Sequence, residues 1–265
     1  MCNPEVLDVE DGQNYPWQVG DFYLEASGVE PDCWRHEHPN GIDSVYIPGV
    51  WGRSEIYAER ARFWIRSAYE AIEVTRSTVD DFQGPLEKPI SVFILFDLTD
   101  GDFLYIGPEG ERVRRAPAFT MPHRANTQRC VVGYFGREKI DPVDLVGDDL
   151  DVFKYYLAHE IAHCYHLEKL NEPTEETHWV MESFANFVAT LAYPASNVEH
   201  GGLRKFDLRN RDFRQPYRAF VLFEHIQKTE GLPVVWATVS RLFADTSGNN
   251  HMAIIDSVMS IHDFV

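Results

Sequence analysis

Apolar residues along this chain follow two kinds of spacing, and the helical kind dominates. Between residues 54 and 80 they recur every three or four positions, which predicts a long helix. A second helix of the same periodicity is predicted to begin at the acidic residues near Asp148 and to end near Lys169. Further helices are predicted after Thr174 and over residues 215–226, 232–244 and 251–262.

Three shorter stretches are predicted to be strands. Residues 88–96 form a near-continuous apolar run, which is typical of a central strand, and residues 129–135 form a second good strand. Residues 117–121 are predicted as a short strand. Residues 1–53 lack sustained periodicity and are interpreted as an N-terminal extension of loops and short strands before one domain over 54–265. We therefore expect an α+β fold, with a small mixed sheet and a helical C-terminal part.

Composition and charge exclude several classes of partner. The 265 residues carry 24 basic and 42 acidic side chains, a formal net charge of −18. This balance argues against nucleic acid or an anionic membrane surface as a partner. No apolar run approaches the length of a transmembrane helix, so we expect no membrane span. We expect a soluble protein, either cytoplasmic or secreted with its leader absent from this numbering. Its oligomeric state stays open.

The four cysteines, Cys2, Cys33, Cys130 and Cys164, show no metal-binding or disulfide pattern. No C-x-x-C spacing occurs among them. Cys164 is expected to point toward the core as a free thiol, where it would behave as a small hydrophobic side chain. A bridge between Cys33 and Cys130 is possible, and the sequence does not decide whether these two residues pair.

The candidate chemistry is concentrated in the second predicted helix. His159, Glu160 and His163 form an H-E-x-x-H pattern. Positions four apart lie on one face of a helix, so both imidazoles can bind one cation, and Glu160 can act as a general base beside it. Random placement would give this pattern in roughly 4% of chains of this composition, so the context must support it.

A third candidate ligand, Glu182, follows His163 after eighteen intervening residues. It lies in the helix predicted after Thr174. A short connection between two antiparallel helices would bring Glu182 back over the histidine pair. Two histidines and a glutamate leave one position for water, which is the arrangement of catalytic rather than structural zinc.

The pattern resembles the gluzincin metallopeptidases, the thermolysin and aminopeptidase type of zincin. The resemblance rests on H-E-x-x-H, the later Glu and its Trp-x-x-Glu-Ser-x-Ala surroundings, and covers about residues 54–230. It implies a zincin-like fold in which His159, His163 and Glu182 bind Zn²⁺ and Glu160 is the catalytic base. The substrate would be a peptide or protein.

The resemblance also implies roles for residues outside the motif. The strand before the metal-bearing helix would lie at the sheet edge, where Val131, Val132 and Gly133 would bind an extended peptide. An ordinary sheet strand is the alternative. Asn186 would orient the first ligand, a position at which related enzymes use Asp. Tyr217 is the first candidate for the donor to the tetrahedral oxyanion, and His225 is the second.

These residues predict a zinc-dependent metallopeptidase. His166 and Lys169 exclude the metzincin branch, because that branch requires Gly and His at these positions. No G-x-M-E-N-like stretch occurs, so exopeptidase action is unsupported. Two alternatives stay open: an inactive zincin-fold binding module that keeps its metal, and a zinc hydrolase acting on a non-peptide substrate.

Overall fold

The computed structural model of the chain describes residues 18–19, 22–23, 33–48, 55–96, 104–106, 112–114, 118–120, 129–136, 148–170, 173–194 and 219–259. Strands come mainly from the first half and helices from the second. The strands are β1 (Gln18–Val19), β2 (Phe22–Tyr23), β3 (Cys33–Glu37), β4 (Ser44–Pro48), β5 (Ile90–Phe96), β6 (Leu104–Ile106), β7 (Arg112–Arg114), β8 (Ala118–Thr120) and β9 (Cys130–Gly136). The helices are α1 (Glu55–Gln83), α2 (Asp148–Lys169), α3 (His178–Ala192), α4 (Phe220–Glu230), α5 (Leu232–Ala244) and α6 (His251–Val258).

The main sheet is mixed and has the order β3-β4-β5-β9-β8. Its three inner strands, β4, β5 and β9, run parallel, while β3 and β8 pair antiparallel at the two edges. The side chains of β5 from Ile90 to Ile94 are all buried, which explains why the strand is apolar except at Ser91. The prediction of a central strand at 88–96 is therefore confirmed, as is the small mixed sheet.

The prediction that residues 129–135 form an edge strand is wrong. β9 pairs with β5 along its whole length, including Val131, and Val132 and Gly133 also face β8 on the other side. Their backbone groups are used within the sheet and are not presented to an extended peptide. The edge on this side of the sheet is β8, which consists of only three residues.

The first strands of the main sheet lie within the stretch predicted as an N-terminal extension. β3 and β4 form an antiparallel pair, and β4 continues the sheet by pairing parallel to β5. Residues 33–48 are thus part of the main body. The boundary predicted at residue 53 does not separate two sheets.

Helices α1 and α2 pack beside the sheet, and α3 packs against both of these helices. Each predicted helical periodicity is matched by a buried face, such as Trp64, Ala68 and Ile72 on α1. α3 is apolar around most of its surface because it contacts α1, α2, α4 and α5. Six helices are described in total, and none of them is long and apolar enough to cross a membrane.

A disulfide between Cys130 and Cys164 joins the first residue of β9 to the middle of α2. Cys164 is buried as predicted, but it is bonded and not a free thiol. The possible pairing of Cys130 with Cys33 is excluded, since Cys130 has Cys164 as its partner. The bridge fastens the helix that carries the H-E-x-x-H motif to the first residue of β9, the strand next to the edge of the sheet.

Polar contacts fasten the same layers at two further points. The carboxylate of Asp43 accepts two hydrogen bonds from Arg76 on α1 and one from the backbone N–H of Ile90 on β5. Glu168, near the end of α2, accepts hydrogen bonds from the backbone N–H groups of Glu87 and Lys88. The helices and the sheet are therefore held in register by charged hydrogen bonds as well as by apolar packing.

Reduction of the Cys130–Cys164 bridge is expected to lower the free energy of unfolding by about 3–4 kcal/mol, because the bridge closes a loop between residues 34 apart. The measurement is urea unfolding of the metal-free protein with and without a phosphine reductant. A Cys2→Ser/Cys33→Ser variant is the control and should respond to reductant as the wild type does. Equal stability in both conditions would contradict the role given to the bridge.

Candidate metal centre

Two imidazoles meet on one face of α2. His159 and His163 are one helical turn apart, and both are buried, with 7% and 6% of their surfaces exposed. Their Nε2 atoms lie 3.1 Å from each other. The spacing of four residues brings the rings together as the sequence predicts. The two rings therefore present their distal nitrogens to a common point.

α3 supplies a carboxylate to the same point. Oε2 of Glu182 lies 3.3 Å from Nε2 of His159, and Oε1 lies 3.7 Å from Nε2 of His163. Contacts along the two helices run in opposite directions, since Tyr155 meets Asn186 while His163 meets Glu182. The helices are thus antiparallel, and the predicted return of Glu182 over the histidine pair is what the structure has.

Asn186 fixes the orientation of the first imidazole. Its Oδ1 accepts a hydrogen bond of 2.9 Å from Nδ1 of His159 and another, of 3.2 Å, from the hydroxyl of Tyr155. Because the amide oxygen is an acceptor, the proton of His159 lies on Nδ1 and its Nε2 carries a lone pair. The sequence indicated Asn186 but not Tyr155, although Tyr155 lies one turn before His159 on the same helix.

Burial and charge set the protonation states of the cluster. Burial has the largest influence on His163 and lowers its pKa to about 4. Burial opposes ionisation of Glu182, but the adjacent imidazoles outweigh it and lower the pKa of this carboxyl to about 2. Burial likewise opposes a charge on His159, but the carboxylates of Glu182 and Glu160 outweigh it and raise the pKa of His159. At neutral pH a deprotonated carboxylate and a neutral His163 therefore face each other, and these are the forms that ligate a metal.

The geometry of the three side chains fits a divalent cation. Their facing atoms are 3.1, 3.3 and 3.7 Å apart, and the ligand atoms of a tetrahedral zinc ion lie about 3.3 Å apart. With the proton of His159 on Nδ1, its Nε2 and Oε2 of Glu182 are two acceptors 3.3 Å apart, which is unfavourable unless a proton or a cation lies between them. A proton would relieve this repulsion in part, and a metal ion would satisfy all three atoms.

Glu160 lies beside the cluster of His159, His163 and Glu182, and its carboxylate is held by a residue outside that cluster. Its carboxylate, with His159 and His163, presents ligand atoms that all lie within 4.8 Å of one another. Its Oε2 accepts a 2.7 Å hydrogen bond from the hydroxyl of Thr120 on β8. Burial raises the pKa of Glu160, while the charge of His159 and the hydrogen bond from Thr120 oppose that rise. A buried carboxylate of raised pKa next to a metal site has the properties of a general base.

Residues from α6 hold α3 in place. Nε1–H of Trp179, one turn before Glu182, donates to Nδ1 of His251, whose Nε2 lies 2.9 Å from the carbonyl oxygen of Leu242. The ring of His251 is buried, so both of its nitrogens are used inside the protein. This link was not predictable from local patterns, because it joins residues 72 positions apart.

The remaining predicted site residues have different outcomes. Tyr217, the first candidate for oxyanion donor, lies outside the described residues. His225 is half-buried on α4, and its assignment as the second candidate stays a prediction. His178, at the start of α3, is largely exposed, with Nε2 3.6 Å from Oε1 of Glu182. It therefore lies on the solvent side of the cluster.

Replacement of His163 by Ala is expected to abolish stoichiometric metal binding, because two remaining protein ligands cannot hold a tetrahedral site well. The measurement is zinc content after exhaustive dialysis. His178→Ala is the matched control and should keep its zinc, since His178 is largely exposed and is not one of the three assigned ligands. A zinc-loaded His163→Ala protein would contradict the ligand assignment.

Loss of the partner of His159 is expected to weaken metal binding without abolishing it. Asn186→Ala should reduce zinc affinity by about 10- to 100-fold, the usual effect of removing a group that orients a ligating histidine. Tyr155→Phe should give a smaller loss, because Asn186 still accepts the bond from His159. Competition with a chromophoric chelator measures the affinities. Tyr156→Phe, a half-buried neighbour, is the control, and an Asn186→Ala protein of unchanged affinity would refute this role.

Comparison with known proteins does not assign this chain to a family. A scan of the chain against protein-family models found no match. A search of curated proteins found no significant match either. The chemistry of the site must therefore be inferred from its own residues and contacts.

Proposed function

We propose that this chain is a zinc-dependent metallopeptidase with a zincin-like fold. The observation that carries the proposal is the buried cluster of His159, His163 and Glu182 with Glu160 beside it. Chance can supply an H-E-x-x-H motif, but it rarely also supplies a carboxylate on a second helix that reaches both imidazoles. The antiparallel α2–α3 pair next to a mixed sheet supports the same reading.

The proposed reaction is hydrolysis of a peptide bond. A zinc ion held by the three ligands would polarise the scissile carbonyl and lower the pKa of a water molecule. Glu160 takes one proton from the water as the water oxygen bonds to the carbonyl carbon. It then gives that proton to the amine nitrogen as the carbon–nitrogen bond breaks. The products are a carboxylic acid and an amine, and Glu160 returns to its ionised form.

The edge strand β8 is the part of the sheet suited to bind an extended substrate. Among the described strands it pairs with β9 alone, and it packs against α2, which carries His159 and His163. The gluzincin resemblance implies that a substrate adds to the edge of the sheet. That role therefore passes from Val131, Val132 and Gly133 to residues Ala118–Thr120.

A zincin-like binding module that keeps its metal without turnover is the second candidate. The amide of Asn186 favours it, because an amide adds no negative charge to His159 where related enzymes use a carboxylate. A zinc hydrolase of a non-peptide substrate shares the same ligands and base. Metal content together with cleavage of a peptide library separates the proposed peptidase from both alternatives, because only the peptidase both holds zinc and cleaves peptides.

Replacement of Glu160 by Gln is expected to remove activity while zinc remains bound. Gln keeps the size of the side chain and cannot accept the proton, so kcat should fall about 100- to 10,000-fold, or roughly 3–5 kcal/mol of barrier. KM should change less, because the lost interaction belongs to the transition state. Steady-state peptide cleavage and zinc analysis of the same preparations provide the measurement.

The matched control is Glu175→Gln, which neutralises an exposed carboxylate just before α3 and should change neither quantity. A Glu160→Gln protein that loses its zinc would show that Glu160 is a ligand, and the assignment of Glu182 as the third ligand would then be withdrawn. A wild-type protein that holds no metal at neutral pH would remove the basis of the proposed function.

A further inference from the structure

The side chain of Thr120 connects the sheet to the candidate catalytic base. Thr120 is the last residue of β8 and pairs with Val132 of β9. Its Oγ1 lies 2.7 Å from Oε2 of Glu160 and 2.8 Å from the backbone carbonyl oxygen of the same residue. The contact spans 40 positions of sequence, so it exists only because the edge strand packs on α2.

A fixed hydroxyl matters here because a glutamate side chain has three rotatable bonds. Glu160 is 8% exposed and lies among imidazoles, where a small rotation would move its oxygens away from the reacting water. The hydroxyl hydrogen of Thr120 faces two acceptors of one residue, the carboxylate and the helix carbonyl. This arrangement ties the carboxylate to the backbone of its own helix.

The contact also makes the surroundings of the two carboxylate oxygens of Glu160 different. Oε2 is bound by Thr120, and within the described part of the chain no hydrogen bond reaches Oε1. A hydroxyl can donate to Oε2 whether or not a proton has been added at Oε1. The hydrogen bond from Thr120 to the Glu160 carboxylate can therefore persist through both proton transfers.

We propose that Thr120 is a positioning residue that holds Oε2 of Glu160 and leaves Oε1 to exchange the proton between water and the leaving amine. The inference rests on the proposed function. It adds that one short strand determines two positions, because β8 is also the edge to which an extended substrate would add. The same strand then positions both the base and the scissile bond, so the register of β8 determines the distance between them.

The test compares three substitutions in the full-length, zinc-loaded protein. Thr120→Val removes the hydroxyl at nearly constant volume and should lower kcat about 10- to 100-fold with KM changed less than about threefold, as expected for a misplaced catalytic group. Thr120→Ser restores the hydroxyl and should recover kcat to within about threefold. Thr78→Val is the matched control, since the Thr78 hydroxyl bonds only a helix carbonyl of α1.

Two further measurements separate positioning from general structural damage. Zinc stoichiometry should be the same in Thr120→Val and the wild type. Thr120→Val should still unfold in one cooperative thermal transition, at a somewhat lower temperature because the buried Glu160 carboxylate loses a hydrogen bond. A peptide hydroxamate, which binds zinc and needs an oriented base carboxylate, should bind Thr120→Val more weakly than Thr120→Ser. A crystal structure of zinc-loaded Thr120→Val should show the Glu160 carboxylate displaced from its wild-type position.

The outcomes are distinguishable from those of the parent proposal. Full kcat in Thr120→Val, failure of Thr120→Ser to recover activity, or equal loss of zinc and activity would each overturn the positioning role. A wild-type protein that holds zinc and cleaves no peptide would overturn the proposed function instead. In that case the Glu160 position in the Thr120→Val crystals still decides the inference, with an unmoved carboxylate refuting it.

Discussion

Burial of Glu182 beside two imidazoles is the constraint on which the rest of the structure depends. A carboxylate with so little exposure is costly unless a positive charge or strong hydrogen bonds compensate for its lost water. His159 and His163 supply the partners only if α3 packs antiparallel on α2 at one axial register. A shift of one residue would turn Glu182 away from both rings. The cluster therefore forms only when α2 and α3 pack in this register.

The surrounding layers act as supports for that register. The Cys130–Cys164 bridge fixes α2 to β9 immediately after the second histidine. His251 holds Trp179 and with it the first turn of α3. Asn186 links the two helices again through His159 and Tyr155. Each contact comes from a different element. Displacement of any one of these elements would therefore move a candidate ligand.

The sequence predicted the helices and the convergence of His159, His163 and Glu182 well, because both depend on local spacing. Helical periodicity gave the bounds of α1, α2 and α5 closely, and a short connection limited where Glu182 could lie. Strand order was not predictable in the same way, since apolar character marks β9 as buried without showing what lies on each side of it. The Cys130–Cys164 pair and the Thr120–Glu160 contact depend on that order. They could therefore not be read from composition or spacing.

The short connection between α2 and α3 has a consequence for how the cluster assembles. The three candidate ligands lie within 24 positions of one another, from 159 to 182, whereas β4 and β5 pair residues 47 positions apart. Contacts between near neighbours in sequence form faster than distant strand pairings, because less chain entropy is lost in closing the loop. The helix hairpin can therefore bring its candidate ligands together early in folding, whereas the contact of Thr120 with Glu160, which joins residues 40 positions apart, requires a larger loop to close.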